Sequence, residues 1–368
     1  MKICVDAREF VRKGNTGIGR YLENLLQPLA DRGGLELILF SHDPAVSETK
    51  VHGRSTRHVR LPVFPTQVVD QVILPLLAQM EGADVFFSPY YKIPFWGKFK
   101  KVITVHDVMF LRLPGDSLKK QLAGLQMQWA VRKADLILAD SEFTRKDLGE
   151  WLRRPVSKIS VLHPSLEAGW AHPVDEKSIT AIRQRYAGDA PFLLYVGNFK
   201  PHKNVELLVK AFLKLEEQDK VGSHKLLLAG GDPVNLPRIE SLVASGGGAG
   251  VVRIYPAVPD DDLKALYAAA GWFVTLSGYE GFGYPILEAM ACGCPVICHP
   301  CTSIPEMAGS APVAVAALNV DSAAQAIYNA LQMSRIEQRQ HSNLGKSQAA
   351  KFLTAAASDL FTDLLGKL

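Results

Sequence analysis

Two glutamates flank a glycine-rich turn in the stretch GYEGFGYPILEAMACGCPVI. Glu280 and Glu288 are separated by seven residues, and Pro285 lies between them. Proline suits the first turn of a helix, so the spacing predicts a helix that begins near Gly283 or Tyr284. Glu288 then falls in the first helical turns, and Glu280 lies in the loop before them.

Such a helix start can hold an anion. The N–H groups of Phe282, Gly283 and Tyr284 would point out of the helix, where the helix dipole favours negative charge. A carboxylate only accepts hydrogen bonds, so two carboxylates beside an anion indicate hydroxyl donors, as on a ribose and a hexose. Stabilisation of the helix dipole is the alternative for Glu288, but it explains one acid and not both.

A group of basic residues follows an apolar run in the stretch YVGNFKPHKN. Gly197 turns the chain, and Lys200, His202 and Lys203 bring positive charge to the start of the next predicted helix. Cations are unfavourable at that end of a helix, so a phosphate is the natural partner. Alternatively, these lysines are ordinary solvent-exposed side chains that bind no ligand, which fits Lys200 better than Lys203.

Two motifs in the first half also follow apolar runs. Gly14, Gly17 and Gly19 precede a predicted helix in GNTGIGRY, which suits either an anion site or a tight turn. Their order is not G-x-G-x-x-G, and no acid follows at the end of the next strand, so a dinucleotide site is weakly supported. In TVHDVMF, His106 and Asp107 come directly after a predicted strand, where a structural and a functional histidine are equally expected.

Apolar runs alternate with helix-length segments along the whole chain, which predicts an α/β protein with parallel sheets and crossover helices. Ser141 is expected to cap one helix, and Asp260 or Asp261 another. The predicted strands are residues 2–6, 35–40, 84–88, 101–105, 135–140, 158–163, 192–197, 225–231, 251–256, 272–277, 294–299 and 311–316.

The 368 residues are enough for two domains. The pattern pauses in a proline-bearing stretch at 163–178, so we place a first Rossmann-like domain at 1–170 and a second at 171–345. Residues 346–368 form a helical tail that must pack elsewhere. Two such domains are expected to bind a ligand in the cleft between the carboxyl ends of their strands.

Composition bounds the partners. A net charge of +4 and a pI near 8.7 suit anionic small molecules or an anionic membrane surface, and the basic residues are too dispersed for nucleic acid. The first residues resemble a buried strand and not a signal peptide, and no apolar run has the length of a bilayer span. A cytoplasmic protein, with peripheral membrane contact left open, is therefore expected.

Four cysteines crowd together with one histidine. Cys292, Cys294, Cys298 and Cys301 surround His299, which admits a zinc site as one interpretation. Their spacing is not a repeated C-x2-C pair, so we favour small buried side chains.

Together these motifs resemble the family-4 retaining glycosyltransferases, which have the GT-B architecture. The resemblance covers nearly the whole chain through GIGRY, VHD, DSEFTRKDL, GNFKPHKN, YPAVPDDDLKALYAAA and, most specifically, EGFGYPILEAMACGCPVI. It implies two Rossmann-like domains that face each other across a cleft, with a final helix that crosses back to the first domain. The chain is most similar to bacterial enzymes of polysaccharide or lipopolysaccharide assembly, many of them mannosyltransferases.

The resemblance implies roles for matching residues. Glu288 would hold the ribose hydroxyls of a nucleotide sugar, and Glu280 those of the transferred sugar. Lys203 would neutralise the diphosphate, and His106 would lie beside the reacting sugar. Asn198 occupies the neighbourhood in which many members carry an arginine, which places more weight on Lys203. Further donor-binding positions implied by the resemblance are Gly17, Gly19, Asn198, Ala257, Val258, Phe282, Gly283 and Tyr284, the last in place of the usual leucine.

The expected function is retaining transfer of a hexose, with mannose favoured, from a nucleotide sugar to a glycan or lipid-linked glycan. GDP-mannose is favoured over a UDP-sugar, and neither a cofactor nor a metal is expected because Lys203 and helix dipoles would stabilise the leaving diphosphate. The alternatives are a sugar-nucleotide epimerase or phosphorylase of the same architecture and a non-catalytic nucleotide-sugar-binding protein. The stretch PFWGKFKK, with Lys98, Lys100 and Lys101, is a candidate contact with anionic lipid headgroups at the inner membrane.

Overall fold

The computed structural model of the chain describes residues 1–11, 17–112, 118–153, 155 and 158–368. It forms two compact units: unit 1 is Met1–Glu167 together with Phe352–Leu368, and unit 2 is Ala168–Lys351. The change of domain that we expected after residue 170 falls after residue 167, and the one expected after 345 falls after 351. The second shift arises because the helix that precedes the tail continues to Ala349 in unit 2.

Strands and helices alternate in both units. The elements up to residue 167 are β1 (Lys2–Asp6), α1 (Gly17–Leu26), β2 (Glu36–Ser41), α2 (Pro44–Lys50), β3 (Thr56–Arg60), α3 (Thr66–Val68), a π-helical stretch (Val69–Ile73), α4 (Leu74–Met80), β4 (Val85–Ser88), β5 (Lys100–Val105), α5 (Met109–Arg112), α6 (Leu118–Lys133), β6 (Leu136–Ala139), α7 (Glu142–Leu152) and β7 (Ile159–Val161). They continue with α8 (Glu176–Ala187), β8 (Phe192–Val196), α9 (Val205–Glu217), β9 (Lys225–Ala229), α10 (Leu236–Ser245), β10 (Val252–Tyr255), α11 (Asp260–Ala269), β11 (Trp272–Thr275), α12 (Tyr284–Ala291), β12 (Val296–Cys298), α13 (Ile304–Ala308), β13 (Val313–Ala314), α14 (Val320–Leu331), α15 (Arg335–Ala349) and α16 (Thr354–Leu365).

Unit 1 is built on a parallel sheet of strand order β3-β2-β1-β4-β5-β6-β7. Every strand predicted for this half is present, with ends shifted by a few residues. The strand that was not predicted is β3, TRHVR, which pairs with β2 at the edge of the sheet. Its residues are half-buried or exposed, so it lacks the apolar run that identifies a central strand.

The C-terminal helix α16 packs on unit 1. The hydroxyl of Ser358 donates a hydrogen bond to the carbonyl of Leu25 in α1, at 3.0 Å. The fully buried ring of Phe361 lies 5.1 Å from the ring of Phe87 in β4. The tail therefore returns to the first domain, as expected from the resemblance.

Unit 2 has a parallel sheet of order β10-β9-β8-β11-β12-β13. Chain order reverses between β8 and β11, and the crevice beyond the carboxyl ends of two such strands is where open α/β sheets bind ligands. The loops that follow these strands, residues 197–204 and 276–283, carry Lys203 and Glu280. The sheet thus places the two charged residues at its switch point.

Helix ends agree in part with the sequence analysis. Ser141 caps α7, with its Oγ accepting a hydrogen bond from the Thr144 N–H. The prediction that Asp260 or Asp261 caps α11 was wrong: that helix begins at Asp260, and Pro259 occupies the cap position because its fixed backbone suits a helix start. Among the described residues, no helix combines the length and the apolar character needed to cross a membrane.

Candidate active site

Lys203 and Glu280 form an ion pair at the switch point of unit 2. The Lys203 Nζ lies 2.6 Å from Glu280 Oε1 and 2.8 Å from Oε2, so the ammonium binds both carboxylate oxygens. Their side chains are 17% and 13% exposed, respectively. The two opposite charges that the sequence placed far apart therefore neutralise each other in a largely buried position.

The loops that carry this pair are bonded directly to each other. The Gly278 N–H donates to the carbonyl of His202 at 2.8 Å, and the Asn204 Nδ2 donates to the carbonyl of Leu276 at 2.9 Å. Burial, followed by the effect of Lys203, lowers the pKa of His202, which favours its neutral form. The two hydrogen bonds, one between backbone groups and one from the Asn204 side chain, fix the distance between the two loops without using Lys203 or Glu280.

A third loop, after β12, holds the main chain on both sides of Glu280. The Glu280 N–H donates to Thr302 Oγ1 at 3.0 Å, and Ser303 Oγ donates to the carbonyls of Glu280 and Phe282 at 2.9 and 3.2 Å. Thr302 has a left-handed backbone (φ 53°) and Ser303 is fully buried. Cys301 Sγ also lies 3.1 Å from the carbonyl of Ser277. Sequence reasoning missed these residues because short polar side chains before a helix resemble ordinary caps.

Helix α12 begins beside the ion pair. Gly283 precedes it with φ +105°, a conformation that favours glycine, and its carbonyl accepts hydrogen bonds from the Ile286 and Leu287 N–H groups. Tyr284 is the first helical residue, as predicted, and Phe282 is buried in the loop. The positive end of the helix dipole thus lies at the loop of Glu280, which is suited to an anion.

Glu288 lies one turn into α12 and is fully buried. Its Oε2 accepts a hydrogen bond from the hydroxyl of Tyr267 at 3.0 Å, and Tyr267 is itself fully buried in α11. A ribose can reach this carboxylate only if the covering side chains move. Tyr267 was not predicted as a site residue because a tyrosine among alanines in a helix is typical of a hydrophobic core. The one signal for its role is that a buried tyrosine hydroxyl needs a hydrogen-bond partner.

The loop after β8 is shaped by close backbone packing. A Cβ on Gly230, whose φ is +113°, would lie 2.3 Å from the carbonyl oxygen of Gly197. The Tyr195 hydroxyl donates to the carbonyl of Asn198 at 2.6 Å, and the Phe199 N–H donates to Asp232 at 3.1 Å. The Asn198 side chain accepts a bond from the Lys200 N–H within the same loop. Asn198 therefore shapes the loop that presents Lys203.

Ala257 and Val258 lie in the loop between β10 and α11. Ala257 is exposed and Val258 half-buried. Strand β10 is two positions from β8 in the sheet, a displacement of roughly 10 Å. The role of this loop in covering a base stays a prediction.

His106 belongs to unit 1 and follows β5. Its Nδ1 lies 2.7 Å from Asp140 Oδ2, and its Nε2 lies 2.9 Å from the carbonyl of Pro89. The Pro89 carbonyl only accepts, so Nε2 donates to it, and the Asp140 carboxylate favours a proton on Nδ1 as well. Burial acts to lower the pKa of His106, but Asp140 outweighs it and the pKa is raised. Both ring nitrogens are engaged by hydrogen bonds within unit 1. Whether the ring borders a sugar stays a prediction.

The glycine motif of unit 1 is described only in part. Helix α1 begins at Gly17, which is exposed and has open space around it, whereas Gly19 is buried. Gly14 lies outside the described residues. The hydroxyl of Tyr21, two residues further on, lies 3.0 Å from that of Thr104 in β5. The start of α1 is thereby tied to the strand that precedes His106.

Two family models together span most of the chain. The model described as "Glycosyl transferase 4-like domain" matches residues 16–165, and the model described as "Glycosyl transferases group 1" matches residues 178–347. The chain therefore has a glycosyltransferase 4-like domain followed by a glycosyltransferase group 1 domain.

Curated relatives of this glycosyltransferase include polysaccharide enzymes. The O-antigen chain mannosyltransferase B of Escherichia coli is 29% identical over 350 residues, which covers 90% of this chain and 91% of the relative. A D-inositol 3-phosphate glycosyltransferase of Thermobispora bispora is 28% identical, with 76% of this chain and 73% of the relative covered.

Solved structures share the fold of the glycosyltransferase. HepE of Anabaena, in complex with UDP and glucose, has a TM-score of 0.79 at 16% identity, with each chain fully covered. WaaG, a glycosyltransferase involved in lipopolysaccharide biosynthesis, has a TM-score of 0.78 at 15% identity, with 98% of this chain and 99% of WaaG covered. The GT-B fold, with two Rossmann-like parallel-sheet domains, is confirmed.

The cysteines of the glycosyltransferase do not form a zinc site. Among the described residues, no three or more histidine, cysteine or acidic side chains converge in a way that could hold a metal ion. Burial raises the pKa of both Cys292 and Cys298 to about 12, so the protonated thiol is favoured at each. Asp262, at the acidic start of α11, instead binds Arg185 and the hydroxyl of Tyr186, each at 2.7 Å.

Proposed function

We propose that this glycosyltransferase moves a mannosyl group from GDP-mannose to a glycan or lipid-linked glycan, with retention of configuration and without a metal ion. The observation that carries the proposal is the Lys203–Glu280 pair at the start of α12, with the Glu288 carboxylate one turn away. The pair supplies one cation for a diphosphate and one carboxylate for sugar hydroxyls. The preference for GDP-mannose rests on the mannosyltransferase relatives.

We assign the donor site to unit 2, and the ion pair beside the start of α12 supports this assignment. The diphosphate replaces Glu280 as the ion-pair partner of Lys203 and lies at the positive end of the α12 dipole. Glu280, released from the ammonium, accepts hydrogen bonds from hydroxyls of the sugar. Glu288 accepts bonds from the ribose after the side chains above it move.

The chemical step breaks the bond between C1 of the sugar and the diphosphate oxygen. Lys203 and the α12 dipole stabilise the negative charge that develops on the leaving group. The acceptor oxygen attacks C1 on the same face, and its proton passes to the departing diphosphate oxygen. That route needs no protein base, which agrees with the hydrogen bonds that occupy both ring nitrogens of His106.

Thermal unfolding with a panel of nucleotides tests this proposal. GDP, UDP, ADP and their sugar conjugates would each be added with and without EDTA, to the natural protein and to Glu288→Gln. We expect selective stabilisation by GDP-mannose that EDTA leaves unchanged and the variant loses. Stabilisation that EDTA abolishes would contradict metal-free chemistry, and no response to any nucleotide sugar would contradict the donor site.

A further inference from the structure

Large hydrophobic side chains are exposed mainly on one part of unit 1. Residues 61–80, 91–101 and 118–133, which we call the apolar-basic surface, contain eleven of the eighteen large hydrophobic residues exposed in the described chain. Isolated exposed hydrophobic residues are ordinary, but a concentrated set marks an interaction site. The eleven are Val63, Phe64, Val68, Val72, Leu76, Met80, Phe95, Trp96, Leu118, Leu122 and Leu125.

The exposed residues form stripes. Along α3–α4, every fourth residue from Val68 to Met80 faces outward, and Met80 is 74% exposed. Leu74 and Ala78 of the same helical segment are buried and hold it to the core. On α6, Leu118, Leu122 and Leu125 recur at spacings of four and three, which places them on one face.

The segment 91–101, which ends in the first residues of β5, joins the two stripes. The Phe95 N–H donates to Gln71 Oε1 at 2.9 Å, and the Trp96 indole N–H donates to the Gln71 carbonyl at 2.8 Å. The Phe95 ring then meets the ring of Trp129 on α6, with centroids 4.2 Å apart. Trp129 follows Leu125 by four residues, so one apolar strip runs across the three elements.

The charge of these segments identifies the partner. They hold eight lysines and arginines and a single carboxylate, Asp70, which is buried and bound to Arg8. Their net charge is +7 in a chain of +4, so the remaining residues sum to −3. A partner for this surface must therefore accept apolar groups and carry negative charge.

We infer that the apolar-basic surface docks on an anionic lipid bilayer, with the two stripes in the acyl boundary and the basic residues at the headgroups. A second copy of the chain fits less well, because a two-fold interface would bring like-charged surfaces together. The structure also refines the lysines named from the sequence. Lys100 is paired with Asp135, whereas Lys98 is exposed and has no ion pair with a described residue.

Vesicle co-sedimentation tests the inference with the intact protein. The vesicles are phosphatidylcholine alone or mixed with phosphatidylglycerol, and the variant is Val72→Glu/Leu76→Glu. Val234→Glu/Ile336→Glu in unit 2 is the matched control, because it adds the same charge at exposed apolar positions that are 83% and 72% accessible. We expect the natural protein to bind the mixed vesicles. The affinity for these vesicles should fall by about tenfold or more in Val72→Glu/Leu76→Glu and stay unchanged in the control.

Two outcomes would overturn the inference. One is that the natural protein fails to bind the anionic vesicles, or that Val72→Glu/Leu76→Glu binds them as strongly as the natural protein. The other is that the natural protein sediments as a dimer without vesicle binding and that the same variant is monomeric, which assigns the surface to a second copy. A neutral variant, Leu122→Ser, separates lost apolar contact from added charge, and its unfolding temperature checks the fold.

Discussion

Glu280→Gln is expected to strengthen the binding of GDP while it abolishes transfer. In the structure the Lys203 ammonium is held by both oxygens of Glu280. A diphosphate at Lys203 must compete with this carboxylate and also lies near its negative charge. The substitution removes both effects and keeps the shape of the side chain.

The magnitude follows from the geometry of the pair. Two unit charges about 3 Å apart at an effective dielectric constant of about 20 attract by about 5 kcal/mol. Both side chains are largely buried, so solvent screening removes only part of this energy. The diphosphate restores most of the attraction to Lys203, and we expect a residual gain of about 1.4 kcal/mol, which is about tenfold in Kd.

Isothermal titration with GDP and with GDP-mannose measures the effect at fixed ionic strength. GDP-mannose should gain less affinity than GDP, because the amide that replaces the carboxylate is a poorer acceptor for sugar hydroxyls. Glu206→Gln is the control, since Glu206 pairs with Lys210 and Arg238 at the surface of the same unit. Lys203→Gln should weaken the binding of GDP. In the variant that carries both Glu280→Gln and Lys203→Gln, the change in affinity should differ from the sum of the two single changes.

A weaker or unchanged affinity for GDP in Glu280→Gln would refute the reasoning. It would mean that Glu280 does not compete with the diphosphate for Lys203, or that Lys203 does not bind the diphosphate. Stronger GDP binding with full transfer activity would refute the role of Glu280 at the sugar.

Three further predictions concern single groups. Asp140→Asn should lower the pKa of His106, as followed by imidazole NMR. Because the folded pKa of His106 is raised, the stability that the pair contributes is full below about pH 6.5 and is lost as the pH rises through the folded pKa. A pH-independent difference in stability between the variant and the natural protein would contradict this. Tyr267→Phe should lower the free energy of unfolding in urea by about 1–3 kcal/mol and weaken the binding of GDP-mannose. Tyr186→Phe, the control, should leave donor binding unchanged. If Tyr267→Phe binds the donor as tightly as the natural protein, Tyr267 has no role in donor binding through Glu288. Gly230→Ala should destabilise unit 2 by about 3 kcal/mol, because its Cβ meets the Gly197 carbonyl at a positive φ, whereas Gly250→Ala, with open space around it, should change stability far less.

The fold was predictable because its strands are buried on both faces. Central strands such as β1 and β8 appear as continuous apolar runs, and alternation with helices then implies parallel order. The edge strand β3 escaped because a partly exposed strand has no such run. Pro259 was not predicted as the cap of α11, because aspartate is a strongly preferred cap residue and three successive aspartates follow Pro259.

The candidate site was predictable in its residues but not in its contacts. Lys203 and Glu280 were identified from separate helix starts, and nothing local to either showed that they form an ion pair 77 positions apart. Thr302 and Ser303 act through the main chain of Glu280, a relation that only the tertiary structure reveals. His106 was selected by position, whereas its protonation depends on Asp140, which comes from another strand end.

Transfer of radiolabel from GDP-[14C]mannose to membrane lipids, followed by solvent extraction, tests the central claim most directly. With the natural protein, we predict EDTA-insensitive appearance of label in lipid-linked glycan, and its loss in Glu280→Gln at unchanged protein level. Absence of transfer from GDP-mannose under conditions in which the protein binds it, or equal transfer by Glu280→Gln, would contradict the account.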